Sequence, residues 1–147
     1  MTSGRAFVVM DRMLDQPVCG PRFLQQPEIA GMVVAALRDG QDRFHRYELH
    51  AYVVMSNHVH VLVTPQVDGK KWLGPLKGFT AHEANRILGR SGRFWQDESY
   101  DRLIRDEGEF LRVQRYIENN PVSAGMCTSP GEFPWSSAAP GRSPAAG

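Results

Sequence analysis

Two stretches near the middle of the chain, residues 49–55 and 59–64, are almost continuously apolar and are separated by Ser56 and Asn57. Val, Tyr and Thr dominate both, the composition of a pleated and largely buried strand. Elsewhere the apolar positions recur at helical spacing. Ile29, Val33, Ala36 and Leu37 predict a helix over 27–39, opened by Pro27 and stopped by Gly40. Trp72, Leu76, Phe79 and Ile87 predict a second over 71–88, with Pro75 pointing to a later start. Phe110, Val113 and Ile117 predict a third over 107–119, ended at Asn120-Pro121 because the residue before proline resists helical geometry. A short run at 6–10 reads as a first strand and 11–26 as a loop; 100–104 fits either a strand or a helix.

Two strands joined by so tight a turn must pair antiparallel. The order strand, helix, strand, strand, helix, optional strand, helix predicts an α+β fold. Its simplest form is a ferredoxin-like antiparallel sheet with helices packed on one face. Residues 1–137 read as one domain. Residues 138–147, rich in Pro, Gly, Ala and Ser, read as a disordered tail.

A chain of 147 residues is long enough for one core and too short for two, and 41% hydrophobic with 22% charged residues is ordinary for a globular protein. No apolar run is long enough to cross a bilayer and the first residues lack a signal-peptide core, so a cytoplasmic protein without membrane contact is expected. Cys19 and Cys127 have no partner at motif spacing and read as free thiols. Net charge is +1, but residues 70–93 hold six basic side chains against Glu83 alone, whereas 94–132 hold four basic against eight acidic. A local basic block inside a neutral total suits nucleic acid, and also suits a solvated helix face.

His58 and His60 lie two apart in the second central strand, so both imidazoles share a face. They are half of a metal site or two polar residues on a wet sheet face; the pair alone favours the plainer reading. No GxSxG elbow, P-loop or GxGxxG is present, and neither cysteine carries a nucleophile motif. Tyr100 stands in a polar run, QDESYDR, whereas Tyr52 and Tyr116 occupy strand and amphipathic-helix patterns and read as packing.

The segments MSNHVHVLVTP, LKGFTAHEANRILGRSGRFWQDESYDR and RYIENNPVSAGM, in this order, resemble the single-tyrosine HUH transposases, most closely the REP-associated tyrosine transposase branch. The resemblance covers residues 49–137. It implies cutting and rejoining of single-stranded DNA at hairpin-forming repeats. His58 and His60 would bind a divalent metal, Mg or Mn, and Tyr100 would attack phosphorus to leave a 5′-phosphotyrosine. A free phenol ionises only near pH 10, so metal assistance is needed near neutrality. Lys77, Arg86 and Arg93 are candidate phosphate contacts, and Trp95 a candidate base-stacking group. The family's third ligand, one helical turn past the tyrosine, falls on Ile104, leaving Gln96, Asp101, Glu107 or water to replace it. Members of the wider family swap the tyrosine helix in a homodimer, and the REP-associated branch acts as monomers. A DNA-hairpin-binding protein without catalysis is the alternative, and a small metal-dependent hydrolase a third reading.

Overall fold

The computed structural model describes residues 7–12, 23–95 and 100–140. Four strands form one antiparallel sheet: β1 (Phe7–Arg12), β2 (Tyr47–Val54), β3 (His58–Pro65) and β4 (Tyr100–Leu103), in the order β2-β3-β1-β4. Three helices accompany them: α1 (Pro27–Asp42), α2 (Gly69–Leu88) and α3 (Glu107–Ser123). The fold is α+β, with the strand order and the βαββαβ chain of a ferredoxin-like sheet. Of the expected loop over 11–26, Asp11 and Arg12 belong instead to β1, paired with Val59 and His58, and Phe23–Gln25 form a 3₁₀ turn; residues 13–22, Cys19 among them, lie outside the described residues. Cys127 is a free thiol.

The helices do not all share one face. On β3, Val59, Val61 and Val63 pack with Ile29, Val33 and Leu37 of α1 and Trp72 and Ala84 of α2. The alternate residue Leu62 packs instead with Val113 and Ile117 of α3. Six consecutive residues of β3, Val59 to Thr64, are buried. A strand apolar on both faces needs a layer on each, so α1 and α2 cover one side and α3 the other. A bulge between Leu49 and Ala51 supports this arrangement. The extra residue, His50, lets Tyr52 and Val54 continue the α1/α2 face while Ala51 and Val53 join the α3 face.

Three predicted boundaries move. Gly40 does not stop α1. It lies against Tyr47, whose hydroxyl would be 2.1 Å from a Cβ at that position and donates to the Leu37 carbonyl at 2.6 Å; the glycine makes room. Pro75 lies inside α2, which begins at Gly69. Pro121 lies inside α3 and is buried. A proline removes one donor, and the turn beyond it closes through Ala124 N–H to Asn120 O and Met126 N–H to Pro121 O. The expected tail begins with residues 138–140 in turns, Ala139 being buried; residues 141–147 lie outside the described residues.

Candidate active site

The hairpin between β2 and β3 sets the histidine pair. Met55 N–H bonds to His58 O at 2.8 Å, which closes the loop and starts β3 at His58. His58 is half-buried and His60 is 6% exposed. Their rings stand perpendicular with centroids 5.0 Å apart. Asn57 Oδ1 lies 2.8 Å from His58 Nδ1. An amide oxygen only accepts, so this contact favours the tautomer that carries its proton on Nδ1 and its lone pair on Nε2. This is the usual way a protein orients a metal-binding imidazole.

The third aromatic ring comes from α3. Asp106 caps that helix by accepting the Glu109 N–H at 2.8 Å, and Val113 and Ile117 seat it on the sheet. Tyr116, beside Ile117, brings its ring to 5.7 Å from His60, edge to face, while remaining 61% exposed. Asn120 follows one turn later, on the same side of the helix. Two polar ties hold α3 at either end. Glu109 accepts from the Arg102 guanidinium of β4 and from the Arg105 N–H at 2.8 Å. The Ser137 hydroxyl donates to Glu118 at 2.7 Å, and Ser137 itself is tied to Tyr52 of β2.

Tyr100 opens β4, opposite Met10, which is itself opposite His60. The two Cα positions therefore share a cross-strand row with a strand between them, roughly 10 Å apart at ordinary strand spacing; the Tyr100 side chain lies outside the described residues. Because β4 is a strand, no helical turn follows this tyrosine, and Ile104 is buried in the α3-side core. Of its suggested replacements, Glu107 is exposed in the first turn of α3, while Gln96 and the Asp101 side chain lie outside the described residues.

Lys77 and Arg86 belong to α2, on the sheet face away from the histidines, and Arg86 pairs with Glu83 at 2.9 Å. Arg93 is exposed in the segment after that helix. Trp95 is not the exposed stacking group expected of it: the residue is 6% exposed and its Nε1–H donates to Thr80 Oγ1 at 2.9 Å. A ring packed inside the α1/α2 layer, edge-on to Phe94 at 5.1 Å, has no face left for a base. Tyr116 is the residue that sequence reading set aside, because its helix is amphipathic. The spacing of Tyr116 to Asn120, four residues within one helix, is the signal that could have found it.

Two imidazoles converging from one strand, one of them oriented by an amide, fit a divalent cation. Among the described residues no three His, Cys, Asp or Glu side chains cluster as ligands. Among the described residues Asn120 places an amide on the same side of α3 as Tyr116.

Residues 27–120 match the family described as IS200-like transposases. The chain belongs to this family. An uncharacterised protein of Haemophilus influenzae is 31% identical over 103 residues, a match covering 54% of this chain. The chain spans 57% of that relative's length. Two solved structures share the fold. One is a REP-associated tyrosine transposase bound to a REP hairpin, with TM-score 0.67, 17% identity, and 92% of this chain and 78% of the other covered. The second, a candidate transposase from Deinococcus radiodurans, has TM-score 0.53 and 22% identity over 81% of this chain and 92% of the other. No described helix is long and apolar enough to cross a membrane.

Proposed function

We propose that this IS200-like transposase nicks and rejoins single-stranded DNA at hairpin-forming repeats in the cytoplasm, with Tyr116 rather than Tyr100 as the nucleophile. The observation that carries this reading is the exposed Tyr116 ring, 5.7 Å from His60 and on the same side of the sheet as the histidine pair. The likeness to a hairpin-bound transposase agrees with the DNA substrate. His58 and His60 would hold the cation, Mg or Mn, with the Asn120 amide or water completing the set. When bound, that cation would withdraw charge from the non-bridging oxygens of the scissile phosphate.

The chain's own residues account for the rest. Asn57 keeps the His58 ring oriented. The Glu109 and Glu118 ties hold α3 so that the phenol meets a phosphate lying over the imidazoles. As the Tyr116 Oη–P bond forms, the P–O3′ bond breaks. The phenolic proton passes through solvent to the departing O3′, leaving a 5′-phosphotyrosine and a free 3′-hydroxyl. Attack by a 3′-hydroxyl reverses the step and rejoins the strand without ATP. The same ties bind α3 to its own sheet, which supports a site completed within one chain over a helix-swapped homodimer. Lys77 and Arg86 would meet DNA away from the scissile phosphate, since α2 lies across the sheet from it, and Arg93, in the segment after α2, would be a further phosphate contact.

The test is a denaturing gel of the protein with metal and single-stranded hairpins from the ends flanking its gene. The parent and Tyr100→Phe should form a covalent adduct that requires the cation; Tyr116→Phe should form none. An adduct lost in Tyr100→Phe and kept in Tyr116→Phe would return the role to Tyr100. Salt-sensitive hairpin binding by the parent with no adduct would leave a DNA-binding protein without catalysis.

A further inference from the structure

Beside Tyr116 runs an open groove of about 460 Å³, lined by Arg112, Arg115, Tyr116, Glu118, Asn119 and Pro130. It lies between α3 and the short 3₁₀ turn Pro130–Glu132. We propose that Arg112 and Arg115 form a phosphate rail, carrying the single-stranded DNA on one side of the scissile bond past Tyr116. The proposal rests on the reading that Tyr116 meets the scissile phosphate, but the binding it predicts can be measured without any reaction.

Arg112 is one turn before Tyr116, Arg115 immediately before it, and Asn119 one turn after Arg115. Side chains three and four apart on a helix are surface neighbours, so these groups form one patch. Both arginines are exposed, and neither forms an ion pair with a described residue. Nearby acids have other partners: Asp106, close to Arg112, with the Glu109 N–H, Glu109 with Arg102 and the Arg105 N–H, Glu118 with the Ser137 hydroxyl, and Glu132 with Thr128 and Ser129. Two guanidinium groups one turn apart repel each other unless an anion lies beside them. An arginine fork matches a phosphate in two places.

Among the described residues lining the groove, Tyr116 alone is aromatic. At Arg112 and Arg115 the groove offers charge to a backbone, and phosphate contact there is independent of sequence. The arrangement also explains why a chain of net charge +1 can bind DNA at an acidic stretch. Residues 94–132 carry an excess of acid; Glu118, the one acid among the described lining residues, accepts from the Ser137 hydroxyl.

The test is fluorescence anisotropy of a labelled oligo-dT single strand against the full chain over a series of salt concentrations. Arg112→Gln/Arg115→Gln should bind about tenfold more weakly at low salt. Its log–log salt dependence should be shallower by about 1.4, two contacts at ~0.7 each for a single strand. Arg112→Lys/Arg115→Lys, which keeps the charges, should retain most of the slope. Circular dichroism should superpose for all three proteins, the substitutions being exposed and of similar helix propensity. An unchanged affinity and slope in the glutamine variant overturns the rail, as does an equal change of slope on a blunt duplex. A parent that forms no adduct on any hairpin overturns the nicking reaction, while the slope still decides whether DNA follows the groove. If both hold, the glutamine variant should lose adduct yield at low DNA concentration and recover it at saturation.

Discussion

Asn57 Oδ1 lies 2.8 Å from His58 Nδ1, and in the proposed site that contact would turn Nε2 toward the cation. Replacing Asn57 with alanine frees the ring to rotate and to change tautomer, so affinity for Mn should fall about 10–100-fold by isothermal titration. Asn57→Asp, which keeps the acceptor, should lose less. Trp95 behaves oppositely: its contribution lies in packing and in the hydrogen bond to Thr80. Trp95→Phe should lower stability by ~1–3 kcal/mol in urea titrations, through a smaller ring and a lost donor. DNA affinity should stay within about twofold, well below the ~1–3 kcal/mol that a stacked base contributes. A large loss of affinity in a folded Trp95→Phe protein would restore the stacking role. Both roles were only half legible in the sequence. The HxH pair could be read from a two-residue period, whereas an aromatic that follows a basic helix looks the same whether it stacks on DNA or closes the core.

At the scale of the element, α3 is a carrier held at both ends. Its N-terminal tie is Glu109, whose carboxyl is held below the usual range by the Arg105 backbone N–H and then by Arg102, against the opposing effect of burial. A carboxylate whose folded value is depressed stabilises the fold fully above its unfolded value, here about 4.5, and loses that contribution as pH falls through the lower folded value. Urea midpoints followed from neutrality into acid should therefore drop below pH ~4.5 in the parent. In Glu109→Gln they should start lower and change less there, so that the two proteins converge in acid. At neutral pH the same variant should show a reduced adduct rate, because α3 is less firmly set against β4. The extent of this helix was readable at its start, where Asp106 precedes an acidic turn, and misread at its end. Proline was treated as a terminator, although its ring can be buried when only one donor is lost.

For the whole molecule, the chain after α3 returns to the sheet and locks the site. Val54 N–H bonds to Trp135 O at 2.8 Å, Ser137 N–H to Tyr52 O at 3.0 Å, and Val53 bridges Ser136. These contacts extend the β2 edge by a short antiparallel segment and carry the hydroxyl that holds Glu118. A chain ending at Pro134 should melt lower by more than about 5 °C, from the backbone bonds and buried surface removed. Its adduct yield should fall further than its folded fraction does, since α3 would lose its C-terminal tie. Equal falls in yield and folded fraction would mean the segment only stabilises.

What the sequence determined by itself is what local periodicity and composition encode. Valines, with Tyr52 and Thr64, around Ser56-Asn57 specify a hairpin, the two-residue step of His58 and His60 places both on one face, and the 3.6-residue stripes specify three helices. The α+β class followed from their order. Tertiary structure alone decided which face each helix covers, because β3 is apolar on both sides and offers no sequence sign of which layer comes from where. It alone decided that Gly40 accommodates a tyrosine and that Trp95 is enclosed. It also placed the Tyr116 ring 5.7 Å from His60. Nothing in the local pattern of an amphipathic helix says which sheet residue its exposed tyrosine will face; the packing of Val113 and Ile117 on the α3 face brings Tyr116, and Asn120 one turn on, to the side where His60 lies.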